Sequence, residues 1–581
     1  MRDIWIAGIA RGHNSGVCLL KNGEIVFVIE EERLTRTKYD GTPMASIVKI
    51  LDYTDKLDFF VISHTQPDES RTDYNGEKIY ESLVRKLGLI DDPEKQIVEM
   101  HEHHHKMHAS CAFYQSGFEK AVALIVDGAG TFYNLKNGFV NEVESIFDCS
   151  YPDQLVKTYS RLCGNGPIVL TDNVFKDGCN YIMHDGAGIV KAYEGVTSYC
   201  GWTTIEAGKT MGLFPYGKPN DNIPPIFSKP KGQKFTTTNH DLFIPDYPSG
   251  SKVNAELFSE LDEDITNVVD VTKLQSRRDM AYAVQTETQQ QVLELIRKAV
   301  KDTGQNNVVI SGGYGLNCVA NYWYLEQLKD EGINIYVEPV SNDAGTAMGA
   351  ALLMYYTTSG DTKVRGFNES LYLGPVREYS NEEVIQTVGQ FGGVYIENQQ
   401  PEDAVDLILD GKIVTIFQDR CENGPRALGN RSILFDPRTQ DGKDYVNSIK
   451  HREYFRPFAG SILHEFAHEW FDMRGLEESP HMMYAMNCQP GVEEKIPAII
   501  HIDGTCRIQT VKEHQNPIYY AMIKDFYNKT GVPILFNTSF NLGGEPLVET
   551  LSDAIHTLRE SDIEYLYIPN NKMIIKVENN E

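Results

Sequence analysis

Residues 101–110 read His101-Glu102-His103-His104-His105-Lys106-Met107-His108-Ala109-Ser110, and ten residues on the chain runs Ala121-Val122-Ala123-Leu124-Ile125-Val126-Asp127-Gly128-Ala129-Gly130. A histidine-bearing helix followed at once by a buried-type strand sets the class as α/β. From Glu94 to Tyr114 there is no proline or glycine, and Pro93 and Gly117 bound the run, so a helix over 94–114 is expected. His104 and His108 stand four apart and share one helix face. Two imidazoles so placed can hold one divalent ion. The bland alternative is a solvated polyhistidine run. The adjoining strand weighs against it, because an apolar run ending at Asp127 sets a carboxylate at the mouth of a sheet, where ligands collect.

Toward the N-terminus, Ile4–Ile9 reads as a strand, followed by the polar loop Ala10-Arg11-Gly12-His13-Asn14-Ser15-Gly16 and a second strand, Val17–Leu20. Lys21-Asn22-Gly23-Glu24 is a hairpin turn leading to a third strand, Ile25–Ile29. A small glycine-containing loop of this kind can approach oxyanions through its backbone N–H groups. The run Glu30–Lys38 is either a solvated charge run or the rim of an anion site through Arg33, Arg36 and Lys38.

Toward the C-terminus, Lys209-Thr210 follows a glycine but lacks the spacing of a P-loop, and 219–251 reads as a long surface excursion. Asp279–Asp302 is an amphipathic helix, and the strand Asn307–Ile310 runs into Ser311-Gly312-Gly313, a glycine platform suited to a phosphate or an adenosine. After the strand Ile335–Val340, Ser341-Asn342-Asp343-Ala344-Gly345 opens a small-residue helix. Asp343 is therefore a second carboxylate at a strand-to-helix junction. Two histidines with one or two carboxylates suit a catalytic Fe²⁺, Mn²⁺, Zn²⁺ or Mg²⁺ rather than a closed structural site.

With 581 residues, two domains or more are expected. Lys and Arg number 54 against 82 Asp and Glu, a net charge of −28, which weighs against tight binding of duplex nucleic acid. No 18-residue apolar run is present, so no membrane span is expected. The start, Met1-Arg2-Asp3-Ile4-Trp5, lacks the apolar core of a signal peptide. The ten cysteines include no Cys-x-x-Cys pair, so reduced thiols and a cytoplasmic location are expected.

The polar, glycine-containing stretch 356–371 marks a break, and the boundary is placed between residues 365 and 366. Beyond it lies Phe417-Gln418-Asp419-Arg420-Cys421-Glu422-Asn423-Gly424-Pro425-Arg426-Ala427-Leu428-Gly429-Asn430-Arg431-Ser432-Ile433-Leu434, then Lys450, Arg452 and Arg456, then Arg507, and last Asn537-Thr538-Ser539-Phe540-Asn541. So many cations among Gly, Pro and Ser loops, in so acidic a chain, suggest a dedicated phosphoanion pocket. Surface salt bridges would account for any one of them but poorly for all.

Taken in order, these motifs resemble the O-carbamoyltransferases of the NodU/CmcH family. They are His104-His105-x-x-His108-Ala109, Val126-Asp127-Gly128, Lys209-x-Met211-Gly212-Leu213-x-Pro215-Tyr216-Gly217, Gly312-Gly313-x-x-Leu316-Asn317-x-x-Ala320-Asn321, Gly424 to Leu434 and Asn537 to Asn541. The resemblance implies an N-terminal actin-like ATPase (ASKHA) domain over 1–365 and a C-terminal YrdC-like α/β domain over 366–581. It implies that carbamoyl phosphate yields carbamate, which reacts with ATP to give carbamoyl-adenylate and pyrophosphate. The carbamoyl group then passes to a hydroxyl of a small-molecule acceptor.

Carried over by motif, His104, His108, Asp127 and Asp343 would hold the metal, expected to be Fe²⁺. Gly128, Gly312, Gly313, Asn317 and Asn342 would bind ATP. His13, Lys38 and Arg426 would be catalytic, with His13 beside the acceptor or carbamoyl group and suited to proton removal. Arg420, Arg431, Lys450, Arg452, Arg507, Ser539 and Asn541 would bind carbamoyl phosphate, and His105 would be structural. Asp419 departs from the family, in which a glycine is common there. A homodimer is the expectation for such proteins.

A hydrogenase-maturation carbamoyltransferase would carry zinc-finger cysteine pairs and an acylphosphatase module, and neither is present. Transfer of threonylcarbamoyl to tRNA is disfavoured by the acidic charge and by the C-terminal motifs. A catalytically inactive nucleotide-binding regulator is the alternative from another class, and the intact metal and arginine motifs oppose it. Acceptor contacts are expected around 40–46 and 162–199. A sugar, a natural product or a hydroxymethyl nucleoside or nucleotide all qualify as acceptors.

Overall fold

The computed structural model of the protein describes residues 2–66, 72–73, 75–135, 138–164, 178–184, 186–229, 236–246, 250–258, 270–367 and 369–577. They gather into two compact units. One comprises Met1–Gly12, Cys18–Glu24 and Ile47–Phe367, and the other His13–Val17, Ile25–Ser46 and Asn368–Glu581. The α/β class expected from the sequence is what the structure has.

In the first unit, the strands Trp5–Ala10, Phe59–Ser63 and Ile97–Glu99 run parallel, with Ala10 opposite Ser63 and Ile62 opposite Glu99. A second sheet is built on Lys120–Val126, which pairs antiparallel with Gly138–Ser150 and parallel with Asn307–Ser311. Its residues 121–126 are all buried, as the unbroken apolar run requires. Ser311 lies opposite Ile125, so Asp127 and Gly312 emerge side by side at the C-terminal ends of parallel strands.

The helices His104–Gln115 and Ala344–Ser359 pack closely because the second is built of small residues. A Cβ on Gly349 would lie 1.9 Å from the Met107 carbonyl oxygen, and Ser110 Oγ donates to the Gly349 carbonyl at 2.8 Å. On the same helix, the Ala347 carbonyl lies 2.1 Å from where a Cβ on Gly8 would stand.

Two expectations are corrected. The helix expected over 94–114 starts only at His104, since Ile97–Glu99 is a strand. β-Branched Ile97 and Val98 pair with Phe60 and Val61, and this tertiary pairing overrides the absence of helix breakers. The run Glu30–Lys38 is solvated only in its second half: Glu30, Glu31, Glu32 and Arg33 are buried, whereas Thr35, Thr37 and Lys38 are exposed. The Glu31 carboxylate accepts from the N–H groups of Ala45 and Ser46 at 2.7 and 2.8 Å, and Arg33 donates to the carbonyls of Glu422 and Gly424.

The second unit carries a nine-stranded mixed sheet. Its order is Val394–Ile396, Met573–Lys576, Tyr565–Ile568, Val414–Phe417, Arg431–Phe435, Ile534–Ser539, Ala459–Leu463, Thr505–Val511 and Ala485–Asn487. Arg507 lies opposite Ala459, and Ala459 opposite Asn537, so motifs far apart in sequence meet at one end of the central strands. Among the described residues, no helix is long and apolar enough to cross a membrane.

Candidate functional site

His104 and His108 point from one helix toward Asp127, at the end of its strand, and Asp343, at the start of its helix. One ligand atom from each of the four lies within 4.8 Å of every other. His104 Nε2 is 3.7 Å from Asp127 Oδ2 and 3.6 Å from Asp343 Oδ1, and His108 Nε2 is 3.5 Å from Asp343 Oδ1. Both Nε2 atoms are buried without a hydrogen-bond partner among the described residues. Ligands held about 2.1 Å from one ion stand ~3.4 Å apart, so these spacings and this N₂O₂ donor set fit a single divalent cation.

The charges agree with that fit. Burial alone would lower the His104 pKa, yet Asp343 and Asp127 push it up to about 10. Asp127 is held below the ordinary carboxylate range: burial opposes this, and the nearby imidazoles of His104 and His108 outweigh it. The N–H of Gly313 donates to Asp127 Oδ1 at 2.8 Å and fixes the carboxylate. His105 turns away, its Nδ1 2.8 Å from Ser145 Oγ, and burial lowers its pKa to about 4.

One further histidine, which the sequence reading did not single out, feels the charge of this cluster. His64 follows the strand Phe59–Ser63. Its Nδ1 lies 3.1 Å from the N–H nitrogen and 3.2 Å from the carbonyl oxygen of Gln66. Its Nε2 faces Gly12, whose φ of 102° belongs to glycine. Burial, and then Arg11, lower its pKa to about 4, and both His104 and Asp343 act on it electrostatically. An apolar strand ending in histidine at a parallel-sheet edge was the available signal.

Of the expected ATP contacts, Gly312 has φ 87°, and a Cβ on it would lie 2.4 Å from the Val126 carbonyl oxygen. A Cβ on Gly128 would meet Glu194 Oε1 at 2.9 Å. Asn342 Oδ1 is buried without a hydrogen-bond partner among the described residues. Asn317 is engaged: its Oδ1 accepts from the Ala320 N–H, capping the helix Cys318–Leu328, and its Nδ2 donates to Gln285 Oε1 at 2.9 Å.

In the second unit, Lys450, Arg452, Arg456, Arg507 and Arg426 form a cationic group. Burial first, then Arg456, Arg507 and Arg426, drive the Arg452 pKa well down, with Glu453 opposing. Burial, Arg452 and Arg456 do the same to Lys450, with Glu545 opposing. Arg452 rests on the Phe458 ring, 4.8 Å from its centroid. The Nε atoms of Arg452 and Arg507 are buried without hydrogen-bond partners among the described residues. Lys450 Nζ donates to the carbonyls of Ser539 and Asn541, and Ser539 Oγ donates to Asn541 Oδ1 at 2.6 Å.

Arg420 and Arg431 are placed differently. Arg420 donates to the carbonyls of Gly374, Val26 and Leu373, and Arg431 to those of Gln418, Asn430 and Asp419 while lying over the Phe417 ring. Asp419 has φ 41°, which explains why glycine is common there. His13 is exposed on its loop, and Lys38 Nζ is 2.6 Å from Glu32 Oε1. Residues 165–177 and 185, within the stretch expected to contact the acceptor, lie outside the described residues.

Residues 70–352 match the family model of the carbamoyltransferase N-terminus, and residues 405–576 that of the carbamoyltransferase C-terminus. The chain is 29% identical to nodulation protein NolNO of Sinorhizobium fredii, over 96% of this chain and 78% of that one. It is 31% identical to nodulation protein NolO of Bradyrhizobium diazoefficiens, over 80% and 77%. A full-length HypF solved in a phosphate- and nucleotide-bound form is a remote structural likeness: 13% identity and TM-score 0.34, over 62% of this chain and 47% of that one.

Proposed function

The chain belongs to the carbamoyltransferase family, and from that premise we propose that it is an ATP-dependent O-carbamoyltransferase acting through carbamoyl-adenylate on a small-molecule hydroxyl. The observation that carries this reading is the half-buried cationic group of the second unit, in which the guanidinium groups of Arg452 and Arg507 keep inner donors unspent. A phosphoryl dianion relieves their mutual repulsion and satisfies those donors with charge-assisted bonds. Lys450 shapes the rim by clamping the Ser539–Asn541 turn. Arg420 and Arg431, turned to carbonyls, hold the loop that presents Arg426.

Carbamoyl phosphate bound there is hydrolysed by one water to carbamate and phosphate. A carbamate oxygen attacks the α-phosphorus of ATP, and pyrophosphate leaves. In the transfer step the acceptor oxygen attacks the carbamoyl carbon, the bond to the adenylate oxygen breaks, and AMP departs. A divalent ion held by His104, His108, Asp127 and Asp343 would supply Lewis-acid neutralisation of phosphate charge. The Gly312–Gly313 turn orients Asp127 through the Gly313 N–H, with Gly312 packed directly against the Val126 backbone.

Pyrophosphate release from ATP, with and without carbamoyl phosphate, tests the reading in the wild type and in His108→Ala. The expected result is release that requires carbamoyl phosphate and falls sharply in the variant. ATP left untouched under every donor and divalent ion would refute it.

A further inference from the structure

Next to the cations of the second unit stands one neutral side chain whose hydrogen-bonding capacity the described residues leave unused. Asn447, on the helix Gly442–Ile449, is 3% exposed, and both its Oδ1 and its Nδ2 are buried without a hydrogen-bond partner among the described residues. Burying a primary amide with neither atom matched costs stability, so the position calls for a reason.

Its place is set by hydrogen bonds and strand pairing. Helical spacing puts Lys443, Asn447 and Lys450 on one flank, four and three residues apart. The other flank, with Asp444 and Ser448, is exposed, whereas Asn447 and Lys450 are covered. Over Lys450 lies the turn that follows the strand Ile534–Ser539: Lys450 Nζ donates to the carbonyls of Ser539 and Asn541, and the Gly543 N–H donates to the Lys450 carbonyl at 2.9 Å. The end of the helix also leads straight into the arginines. The Arg452 N–H donates to the Asn447 carbonyl at 2.9 Å, and the Arg452 guanidinium rests on Phe458, the residue before Ala459. Ala459 in turn lies opposite both Arg507 and Asn537.

A phosphoryl group alone gives no use to such a side chain, since an amide oxygen repels an anion. A ligand with a phosphoryl group at one end and an amide at the other uses all of it. Facing primary amides join by two N–H···O bonds, each supplying one donor and one acceptor. The carbamoyl end of carbamoyl phosphate offers that NH₂ and C=O, one bridging oxygen away from phosphorus. Whichever way round the Asn447 amide sits, it presents the complementary pair.

We propose that Asn447 is a specificity-determining residue of the carbamoyl-phosphate pocket: its Nδ2 donates to the carbamoyl oxygen and its Oδ1 accepts from the carbamoyl NH₂, while the arginines hold the phosphoryl group. This rests on the carbamoyl-phosphate reading above. The consequence is selectivity against acyl phosphates, which match the carbamoyl group in size and lack its N–H donors.

The test uses two stable phosphonates that carry CH₂ in place of the bridging oxygen. Phosphonoacetamide keeps the NH₂ group, and acetonylphosphonate has a methyl group in its place. Their dissociation constants and that of inorganic phosphate are measured by titration calorimetry on the full chain, in the wild type, Asn447→Leu and Asn447→Ala. The wild type should bind the amide ~10-fold or more tighter than the ketone. In both variants that ratio should fall to about one, with phosphate affinity held within ~3-fold of the wild type. A ratio that survives in the variants, equal weakening of all three ligands, or a wild type that binds the two phosphonates alike or phosphate alone would overturn the role of Asn447 and leave the pocket standing. A wild type that binds none of the three overturns the carbamoyl-phosphate reading and this role with it.

Discussion

Replacing Arg452 by methionine separates what the cationic group does for the fold from what it does for a ligand. Methionine keeps an unbranched stem against Phe458 and removes the charge that Arg456, Arg507 and Arg426 oppose. A charge held near like charges and partly out of water is a liability to the free protein, and its replacement by an apolar side chain stabilises by about 1–2 kcal/mol once solvent screening is allowed for. At ~2–4 °C per kcal/mol for a unit of this size, the melting temperature should rise by ~2–8 °C. Binding moves the opposite way: one lost charge-assisted contact to a phosphoryl group costs about 1.5–3 kcal/mol, roughly a 10- to 150-fold weaker affinity. Thermal melts titrated with inorganic phosphate and with carbamoyl phosphate read both quantities in one experiment. A variant that melts below the wild type and keeps its phosphate-dependent shift would refute the reasoning, because it would make Arg452 a structural cation.

Three further outcomes are expected. Mn²⁺ or Fe²⁺ should raise the melting temperature of the wild type, by about 2.7 kcal/mol of stability at a hundred times the dissociation constant, and leave His104→Ala and His108→Ala unmoved. Gly312→Ala should cost at least ~2 kcal/mol by its denaturation midpoint, since φ is 87° and the new Cβ would stand 2.4 Å from the Val126 carbonyl oxygen. Burial pushes the Glu338 carboxyl up from 4.5 to about 7, although it accepts from the Val340 N–H and the Tyr336 hydroxyl. The native state then binds more protons than the unfolded one across that window, so stability falls as pH rises through it. In Glu338→Gln the melting temperature should lose that decline, which melts on either side of the window would show.

The convergence of His104, His108, Asp127 and Asp343 was legible because its determinants are local. His104 and His108 keep their spacing although the helix starts ten residues later than the absence of breakers suggests. Asp127 and Asp343 are each marked by an apolar strand running into a turn. His64 was not legible, since its place depends on pairing with Trp5–Ala10 and on the Phe132 bond to Thr65, contacts between segments about 55 and 65 residues away along the chain. The arginines fall between these cases. Arg420 and Arg431 stand in the same glycine-rich motif as Arg426 and read alike in sequence. Only the folded loop decides that two of them meet carbonyls from Gly374 and Gln418. The charge run near Arg33 was misleading for the same reason, its partners lying nearly four hundred residues away.

That difference in partners has an electrostatic consequence. A guanidinium satisfied by carbonyl oxygens has its hydrogen bonds filled and its charge uncancelled, whereas one satisfied by a carboxylate loses both. Arg431 comes near the first kind, its Nη atoms donating to carbonyls while its Nε stays without a partner among the described residues, so it adds positive potential to the second unit. Arg426, Arg452 and Arg507 likewise keep a buried Nε without a hydrogen-bond partner among the described residues, and they stand together in the cationic group. The first unit has the opposite character, two carboxylates and two imidazoles converging on one point. Each site is electrostatically incomplete alone, one short of a dianion and the other of a divalent cation. A chain with a net charge of −28 can therefore still draw phosphoanions to one unit, because the field that matters is set locally, where Arg426, Arg452, Arg456 and Arg507 outnumber Glu453.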